Sequence, residues 1–341
     1  MCGIAGIVDR SGARPEEAGR MAETIAHRGP DEATLHVEPG MGFGFRRLSI
    51  IDLVTGSQPV PNEDGSVRAM LNGEIYNYQE LRDRLVARGH VFRTTGDTEV
   101  LVHLYEEKGP DLVTELRGMF AFALWDRPKR KLLIARDHLG QKPLYYAERG
   151  DRLYFASEIK AILAVEPRFR VVDPEALDEY MAIRVIADPR SMFAGVRKLP
   201  PAHLLEWDER GLRTRRFWSL RYEPKLALGE REALEALDAE TRESVRLHLV
   251  SDVPVGAFLS GGVDSGIVVG QMRALREDRF QTFSLGTPYR EFDETPAARA
   301  VSSRYATEHF DGSVTGDVIE DLPTYVYHLD EPSDPLSACL Y

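Results

Sequence analysis

The sequence predicts two domains in tandem: a strand-rich α+β domain, followed by an α/β domain built on a parallel sheet. Three observations support this organisation. The length of 341 residues exceeds what one hydrophobic core comfortably organises. In the first half, short β-branched and aromatic runs outnumber helical patterns. In the second half, amphipathic helices alternate with short apolar strands, which is typical of a parallel sheet with helices on both faces.

The first domain begins with a buried strand and a covering helix. Residues 4–8 are apolar and β-branched, as expected of a buried strand. Pro15 opens a helix that carries Met21 and Ile25 on one face. Helical spacing recurs at 78–87 and 98–107. Further strands are predicted at 42–51, 67–71, 119–125, 131–136, 144–147 and 153–156.

The composition changes after Trp207. Segment 208–224 is charged and contains Pro224, so we expect a first domain at 2–208, a linker at 209–228 and a second domain at 229–341. The second domain should contain helices at 230–249, 263–275, 295–305 and 318–328, with strands at 253–259 and 280–285.

Composition and charge exclude several classes of protein. The net charge of −12 opposes binding to nucleic acid and to anionic membrane surfaces, since both are polyanions. The two cysteines, Cys2 and Cys339, do not make a secreted disulfide framework. No apolar run approaches the roughly 20 residues of a membrane span. These observations predict a cytoplasmic protein.

Cys2 is a candidate nucleophile. Removal of Met1 would make it the N-terminal residue, with a thiol and a free α-amine together. An α-amine has a pKa of about 7.7–8.0, which suits a base at neutral pH, and the pair can replace a Ser/His couple. The alternative is a cysteine of a buried first strand without chemistry.

Polar clusters follow at 27–31, 46–52 and 72–77, each at a predicted strand end or turn. A thiol that attacks a carboxamide needs two donors for the developing oxyanion, and the side chain of Asn72 beside the backbone N–H of Gly73 would supply them. The alternative for these two residues is a plain turn.

A glycine-rich loop precedes the helix at 263–275. Its small residues would let backbone N–H groups approach a phosphate at the helix N-terminus, and Asp264 could ligate Mg²⁺. The spacing is not that of a Walker A loop, and an ordinary turn is the alternative. The loop consists of Ser260, Gly261, Gly262, Val263, Asp264 and Ser265.

Longer motifs make a resemblance specific. The first part of the chain resembles the glutaminase domain of the N-terminal-nucleophile amidotransferases, and its asparagine synthetase branch in particular. The motifs are CGIAGI from Cys2, HRGPD at 27–31, RLSIID at 47–52, NGEIYN at 72–77, GDTEV at 96–100, GMFAFALWD at 118–126 and RDHLGQKPLYY at 136–146. The string SDVPVGAFLSGGVDS at 251–265 resembles the pyrophosphate loop of ATPases that release AMP and PPi.

The resemblance implies an α/β/β/α N-terminal-nucleophile sandwich, followed by part of an α/β pyrophosphate-loop ATPase domain of the adenine nucleotide alpha hydrolase type. It implies Cys2 as nucleophile, its α-amine as base, and Asn72 with Gly73 as the oxyanion hole. Arg47 would hold the α-carboxylate of glutamine, with Arg46 as the alternative, and Asp97 with Glu74 would hold the α-ammonium. Leu48, Ser49, Ile50 and Ile51 complete the implied glutamine site.

For the second domain, the resemblance implies that the loop Ser260, Gly261, Gly262, Val263, Asp264 and Ser265 holds the phosphates of ATP. Asp264 would also ligate Mg²⁺. Phe258, Leu259 and Leu285 would flank the adenosine. The segment 328–335, with Asp330, Glu331 and Asp334, would contribute to the pocket for the acceptor.

The implied reaction is the ATP-dependent synthesis of asparagine from aspartate and glutamine, giving glutamate, AMP and PPi. A homodimer is compatible with the resemblance. Three alternatives stay open: a different carboxylate acceptor, a ring-closing relative that an intact Cys2 disfavours, and a remnant without catalysis. The family's second nucleotide motif does not occur before Tyr341, so we expect a piece of a longer reading frame.

Overall fold

The computed structural model describes residues 1–12, 14–286, 291, 293–313 and 318–332. Asp334, Pro335 and Cys339, which the sequence singled out, lie outside these residues. The chain divides into two compact units. The first is Met1–Leu220 together with a segment that begins at Val326, and the second is Arg221–Tyr325.

The first unit contains twelve strands and five α-helices among its described residues, apart from the end of a later helix. The strands are β1 Gly3–Asp9, β2 Glu32–Glu38, β3 Met41–Arg47, β4 Val60–Pro61, β5 Val67–Ile75, β6 Gly118–Asp126, β7 Lys131–Arg136, β8 Tyr145–Arg149, β9 Arg152–Ala156, β10 Val196–Lys198, β11 His203–Asp208 and β12 Gly211–Arg216. The helices are α1 Pro15–Thr24, α2 Tyr78–Ala87, α3 Glu99–Lys108, α4 Ile159–Val165 and α5 Pro174–Ile183.

Two six-stranded sheets form the centre of this unit, with orders β10-β8-β9-β1-β3-β2 and β12-β11-β7-β6-β5-β4. Their facing side chains share one buried core, to which Phe43 and Phe155 belong from one sheet and Met70 and Trp125 from the other. Helices α1 and α4 pack on the first sheet, and α3 packs on the second. The predicted α/β/β/α sandwich is confirmed.

The second unit is built on a parallel sheet, as predicted, with the order β13-β14-β15. Its core includes Val245, Leu259, Val269 and Phe280. Across the described residues of both units, no helix combines the length and the apolar character needed to cross a bilayer. The helices and strands that follow β12 in the chain are α6 Glu230–His248, β13 Ala257–Phe258, α7 Val263–Leu275, β14 Gln281–Gly286, α8 Thr295–Tyr305, β15 Glu308–Ser313 and α9 Val318–Leu329.

Two strand ends differ from the prediction in the region of Cys2. Strand β5 continues to Ile75 instead of ending at 71, because it pairs with β6 along its whole length. Asn72 and Gly73 therefore lie inside a strand and not in a turn. Strand β3 ends at Arg47, whereas the prediction continued to 51. The backbone N–H groups of Leu48 and Ser49 donate to side chains, the Cys2 thiol and the Asp31 carboxylate, instead of to a neighbouring strand.

Other differences concern edge strands. Strand β12 pairs with β11 inside the segment predicted as linker, and its charged side chains are exposed because it lies at a sheet edge. The predicted strand at 253–259 is reduced to β13, in a stretch where Pro254 lacks a backbone donor. The prediction also omitted β2, β4, α4, α5, β10, β11 and β15, of which the two helices and β11 do not lie at a sheet edge.

Candidate active site

A small cavity opens beside the start of β1 in the first unit. The structure brings most of the residues predicted for glutamine to its wall. These are Cys2, Arg47, Leu48, Ile50, Ile51, Gly73, Glu74 and Asp97. Ser49 and Asn72 adjoin wall residues in the chain but do not line the cavity themselves.

The hydrogen bonds around Cys2 fix both its backbone and its thiol. Arg28 Nε donates to the Cys2 carbonyl oxygen at 3.0 Å. The backbone N–H of Ile4 donates to Ser157 Oγ at 3.0 Å. The Cys2 Sγ lies 3.4 Å from the Leu48 nitrogen and 3.5 Å from its oxygen. Burial raises the pKa of the Cys2 thiol, although the Leu48 backbone opposes this shift. A nucleophilic thiolate at this position therefore requires a nearby base.

Burial also lowers the pKa of the α-amine, which belongs to Met1 in the complete chain. A lowered pKa increases the fraction of neutral amine at neutral pH, and only neutral amine accepts a proton. Removal of Met1 would transfer the α-amine to Cys2 itself.

Arg47 is 6% exposed and ends β3 at the cavity wall. Its Nη1 lies 3.4 Å from Glu32 Oε2, and its Nη2 donates to the Ile51 carbonyl oxygen at 3.3 Å. Arg46, the alternative from the sequence, instead donates to the Ala22 carbonyl oxygen and does not line the cavity. Of the two arginines, only Arg47 presents a guanidinium to this space.

Two carboxyl groups, those of Glu74 and Asp97, also line the cavity. Burial, together with the charge of Asp97, raises the pKa of Glu74 to about 9. Burial raises the pKa of Asp97 to about 6, although the backbone N–H of Ile75 donates to Asp97 Oδ2 at 2.8 Å and opposes the shift. Ionisation of both buried carboxyl groups is unfavourable unless a cation binds close to them.

Asn72 and Gly73 are unusual for the middle of a strand. Asn72 is fully buried, and neither polar atom of its side chain has a hydrogen-bond partner among the described residues. Gly73 has a φ of +139°, and an added Cβ would lie 2.0 Å from the carbonyl oxygen of Met119. Only glycine fits at 73, and among the described residues no group satisfies the buried amide of Asn72.

Sequence reasoning missed the residues that support this wall. Gln58 Oε1 accepts from the backbone N–H of Leu71 at 2.6 Å, and Gln58 Nε2 donates to Thr98 Oγ1 at 3.0 Å. Asp31 accepts from the backbone N–H of Ser49 at 2.8 Å. Asp31 belongs to a motif that the sequence displays, whereas no pattern in the sequence marks Gln58.

A second cavity, of about 430 Å³, lies in the second unit. Four predicted residues line it, namely Phe258, Leu259, Ser260 and Leu285. Phe283, Ser284, Glu294 and Thr295 complete the lining and were not predicted. The remaining loop residues, Gly261, Gly262, Val263, Asp264 and Ser265, continue from Ser260 without lining it.

The glycine-rich loop is closely fitted to its surroundings. Gly261 has a φ of +82°, and a Cβ there would lie 2.6 Å from the Ala298 nitrogen. Ser260 Oγ accepts from the backbone N–H of Gly262 at 3.3 Å and lies 3.0 Å from Ser265 Oγ. Gly262 is the N-cap of α7, so the loop leads directly into a helix N-terminus, which carries a partial positive charge. This cradle suits an anionic group such as a phosphate.

Asp330 and Glu331, which were expected near an acceptor pocket, form hydrogen bonds and ion pairs within the first unit. Asp330 accepts from the backbone N–H of Ile159 at 2.6 Å and pairs with Lys160 at 3.0 Å. Glu331 accepts from the backbone N–H of Met192 at 2.7 Å and pairs with Lys198 at 2.8 Å. That the segment 328–335 contributes to an acceptor pocket stays a prediction.

Comparisons with known proteins match both parts of the chain to described families. A glutamine amidotransferase domain model matches residues 1–218, and an asparagine synthase model matches residues 236–341. Asparagine synthetase [glutamine-hydrolyzing] 1 of Bacillus subtilis (strain 168) is 36% identical over all of this chain and 55% of its own length. A putative asparagine synthetase [glutamine-hydrolyzing] 2 of Methanocaldococcus jannaschii is 35% identical over 97% of this chain and 68% of its own length.

The fold has a counterpart among solved structures. The allosteric regulatory enzyme of purine biosynthesis matches 92% of this chain and 80% of its own with a TM-score of 0.50 and 15% identity, a likeness of fold alone. The chain spans about half the length of the curated relatives it matches, with 55% and 38% coverage of the first two.

Proposed function

Because the chain belongs to the family of glutamine-hydrolysing asparagine synthetases, we propose that its first unit hydrolyses glutamine and that its second unit binds ATP for asparagine synthesis. The observation that carries the proposal is the wall of the first cavity. It combines a thiol, a guanidinium, a carboxylate pair and, beside it, an unpaired amide. Hydrolysis of glutamine by a thiol needs these four kinds of group: a nucleophile, a cation for the α-carboxylate, an anion for the α-ammonium and a donor for the oxyanion.

Substrate binding follows from the charges on the wall. The Arg47 guanidinium can bind the α-carboxylate of glutamine, since its planar donors match a carboxylate. The carboxylates of Asp97 and Glu74 can accept the α-ammonium, whose positive charge would relieve their mutual repulsion. Leu48, Ile50 and Ile51 contribute apolar wall between these polar ends. This arrangement directs the side-chain amide of glutamine toward Cys2.

Cys2 then hydrolyses the side-chain amide of the bound glutamine. Its α-amine takes the thiol proton, the thiolate sulfur attacks the amide carbon, and the negative charge that develops on oxygen is stabilised by Asn72 and the Gly73 N–H. Collapse breaks the C–N bond, the amine returns the proton to the leaving nitrogen, and ammonia departs from a thioester. Water then hydrolyses the thioester to glutamate and restores the thiol.

In the second unit, we propose that the Ser260–Ser265 segment binds the phosphates of ATP, while Phe258, Leu259 and Leu285 flank its adenosine. Asp264, exposed in the first turn of α7, would hold Mg²⁺, which when bound neutralises the phosphate charge. Aspartate would attack the α-phosphorus of ATP, releasing PPi. Ammonia would then displace AMP from the aspartyl adenylate and form asparagine.

Two substitutions in the complete protein test this division. Cys2→Ala should abolish glutamine-dependent synthesis but retain synthesis from added ammonia. Asp264→Ala should retain glutamine hydrolysis and lose ATP-dependent release of PPi. Equal loss of both activities in either variant would contradict the proposed division, and intact Met1 by mass spectrometry would contradict the role of the α-amine.

Further details belong to the same proposal. We place the functional domains at 2–208 and 229–341, joined by 209–228, and expect the protein to act in the cytoplasm. A homodimer is compatible with this proposal. A different carboxylate acceptor is the second candidate, because the comparisons cover only part of the relatives' length. Product analysis with aspartate and other carboxylates would separate the two candidates.

A further inference from the structure

A second cluster of ionisable side chains lies in the first unit, apart from the wall around Cys2. It consists of Glu63, His90, His103 and Glu106, whose candidate ligand atoms all lie within 4.8 Å of one another. Three chain segments supply them: the turn after β4, the segment after α2, and one face of α3. We refer to these four residues as the His/Glu cluster.

The distances within the His/Glu cluster are those of a ligand shell. His103 Nδ1 lies 3.1 Å from Glu106 Oε2 and 3.4 Å from Glu63 Oε2. His90 Nδ1 lies 3.3 Å from Glu63 Oε1 and 3.6 Å from Glu106 Oε2. An ion bound tetrahedrally at about 2.0–2.1 Å separates its ligands by about 3.4 Å. The two shortest of these contacts, at 3.1 and 3.3 Å, are also within hydrogen-bond distance.

Each imidazole is backed by a further carboxylate on its outer side. His103 Nε2 lies 3.6 Å from Glu99 Oε1, and His90 Nε2 lies 3.6 Å from Glu107 Oε1. Both separations exceed hydrogen-bond distance, so the outer carboxylates lie near the imidazoles without fixing the position of their protons. Each Nδ1 atom faces a carboxylate oxygen of the cluster, at 3.1 Å for His103 with Glu106 and at 3.3 Å for His90 with Glu63.

The two glutamates are oriented as well. The Asn62 amide donates to Glu106 Oε1 at 2.7 Å, which leaves Glu106 Oε2 directed at the histidines. The backbone N–H of Val91 donates to Glu63 Oε1 at 3.1 Å. Within the described part of the chain, no lysine or arginine side chain pairs with either carboxylate of the cluster, and His103 is fully buried. The cluster thus has two carboxylates without a fixed cation.

We propose that the His/Glu cluster binds a divalent transition-metal ion of the zinc class. Two imidazole nitrogens and two carboxylate oxygens suit such an ion, whereas Mg²⁺ and Ca²⁺ prefer oxygen ligands alone. Four protein ligands make a closed shell, which is typical of a structural site. The ion would join the segment at His90 to α3, and Asp97 of the cavity wall lies between them in the chain.

The test uses the full chain with Cys2→Ser and Cys339→Ser, so that no thiol can bind the probe. After removal of metal by chelation, Co²⁺ is titrated and its visible absorption recorded, because a tetrahedral site gives intense bands. We expect one equivalent to bind with a tetrahedral spectrum. Zn²⁺ should displace it and raise the Tm by about 5–10 °C at 100 times the Kd.

Three substitutions in that background decide the location. Glu106→Gln keeps the acceptor for Asn62 and should weaken Co²⁺ binding at least tenfold, as should His90→Gln. Glu80→Gln, an exposed glutamate of α2, is the matched control and should leave the affinity unchanged. A chain that binds no Co²⁺ tetrahedrally, or that binds it equally well with Glu106→Gln, would overturn the proposal. If His90→Gln fails to fold, Glu106→Gln alone decides.

Discussion

Replacement of Asn72 by alanine should separate stability from activity. The side chain of Asn72 is fully buried, and its two polar atoms have no hydrogen-bond partner among the described residues. A buried polar group without a partner costs about 1–3 kcal/mol. Removal of the amide relieves this cost but leaves a void, which at about 24 cal/mol per Å³ and roughly 50 Å³ costs about 1 kcal/mol. The free energy of unfolding should therefore stay constant or rise by up to about 2 kcal/mol.

Asn62 provides a matched control, because it is equally buried but fully bonded. Its Nδ2 donates to Glu106 Oε1 at 2.7 Å, and its Oδ1 accepts from the backbone N–H of Val67 at 3.0 Å. Asn62→Ala leaves both partners without their bonds and adds a similar void. This variant should lose about 2–4 kcal/mol of unfolding free energy.

In Asn72→Ala, glutaminase activity should fall although the free energy of unfolding does not. If the Asn72 amide stabilises the oxyanion, its loss should lower kcat for glutamine hydrolysis by about 10²–10³-fold. Thermal unfolding of the three proteins and a glutaminase assay that follows glutamate provide the measurements. A Tm loss in Asn72→Ala as large as that in Asn62→Ala would refute the structural reasoning. A loss of less than tenfold in kcat would refute the proposed role.

Three further outcomes follow from the same wall. Glutamine should bind more tightly as the pH rises from 6 to 8, because its ammonium displaces the proton that the pair of Glu74 and Asp97 retains. KM should fall by up to about tenfold per pH unit, and Glu74→Gln should remove that slope. Arg47→Lys should raise KM about 10–100-fold, since a single ammonium cannot form two parallel bonds to a carboxylate, and an unchanged KM would contradict the role of the guanidinium. Gly73→Ala should cost about 3 kcal/mol or more of unfolding free energy, because its Cβ would lie 2.0 Å from a carbonyl oxygen, and a Tm equal to that of the parent chain would contradict it.

The sequence predicted best those elements whose signal is local. Helices α2, α7 and α8 have the predicted bounds, because apolar spacing and flanking turn residues lie within each segment. Strands at sheet edges were missed or mistaken for linker. Strand β15, Glu308–Ser313, is largely exposed and polar, so only its pairing with β14 identifies it. That pairing depends on a distant segment, which a local pattern does not contain.

The same distinction applies to the functional residues. The residues proposed to bind the substrate glutamine were predicted because they belong to ordered motifs. The predicted strand that carries Asn72 and Gly73 nevertheless ended too early. Gln58 was not predicted, since its role consists of two contacts to other segments. The His/Glu cluster escaped notice for a similar reason: Glu63, His90 and α3 approach one another only after folding.

Three consecutive residues of β5, Asn72, Gly73 and Glu74, have features that oppose folding. Asn72 buries an amide without partners, Gly73 adopts a positive φ within a strand, and Glu74 shares a buried site with the carboxyl group of Asp97. Each feature is unfavourable by itself, and an apolar strand would avoid all of them. An amide needs an acceptor and a carboxylate pair needs a cation, and a zwitterionic amino acid with a polarised carbonyl supplies both. Under the proposed function, such a ligand would account for the carboxylate pair and for the amide, which finds no partner among the described residues.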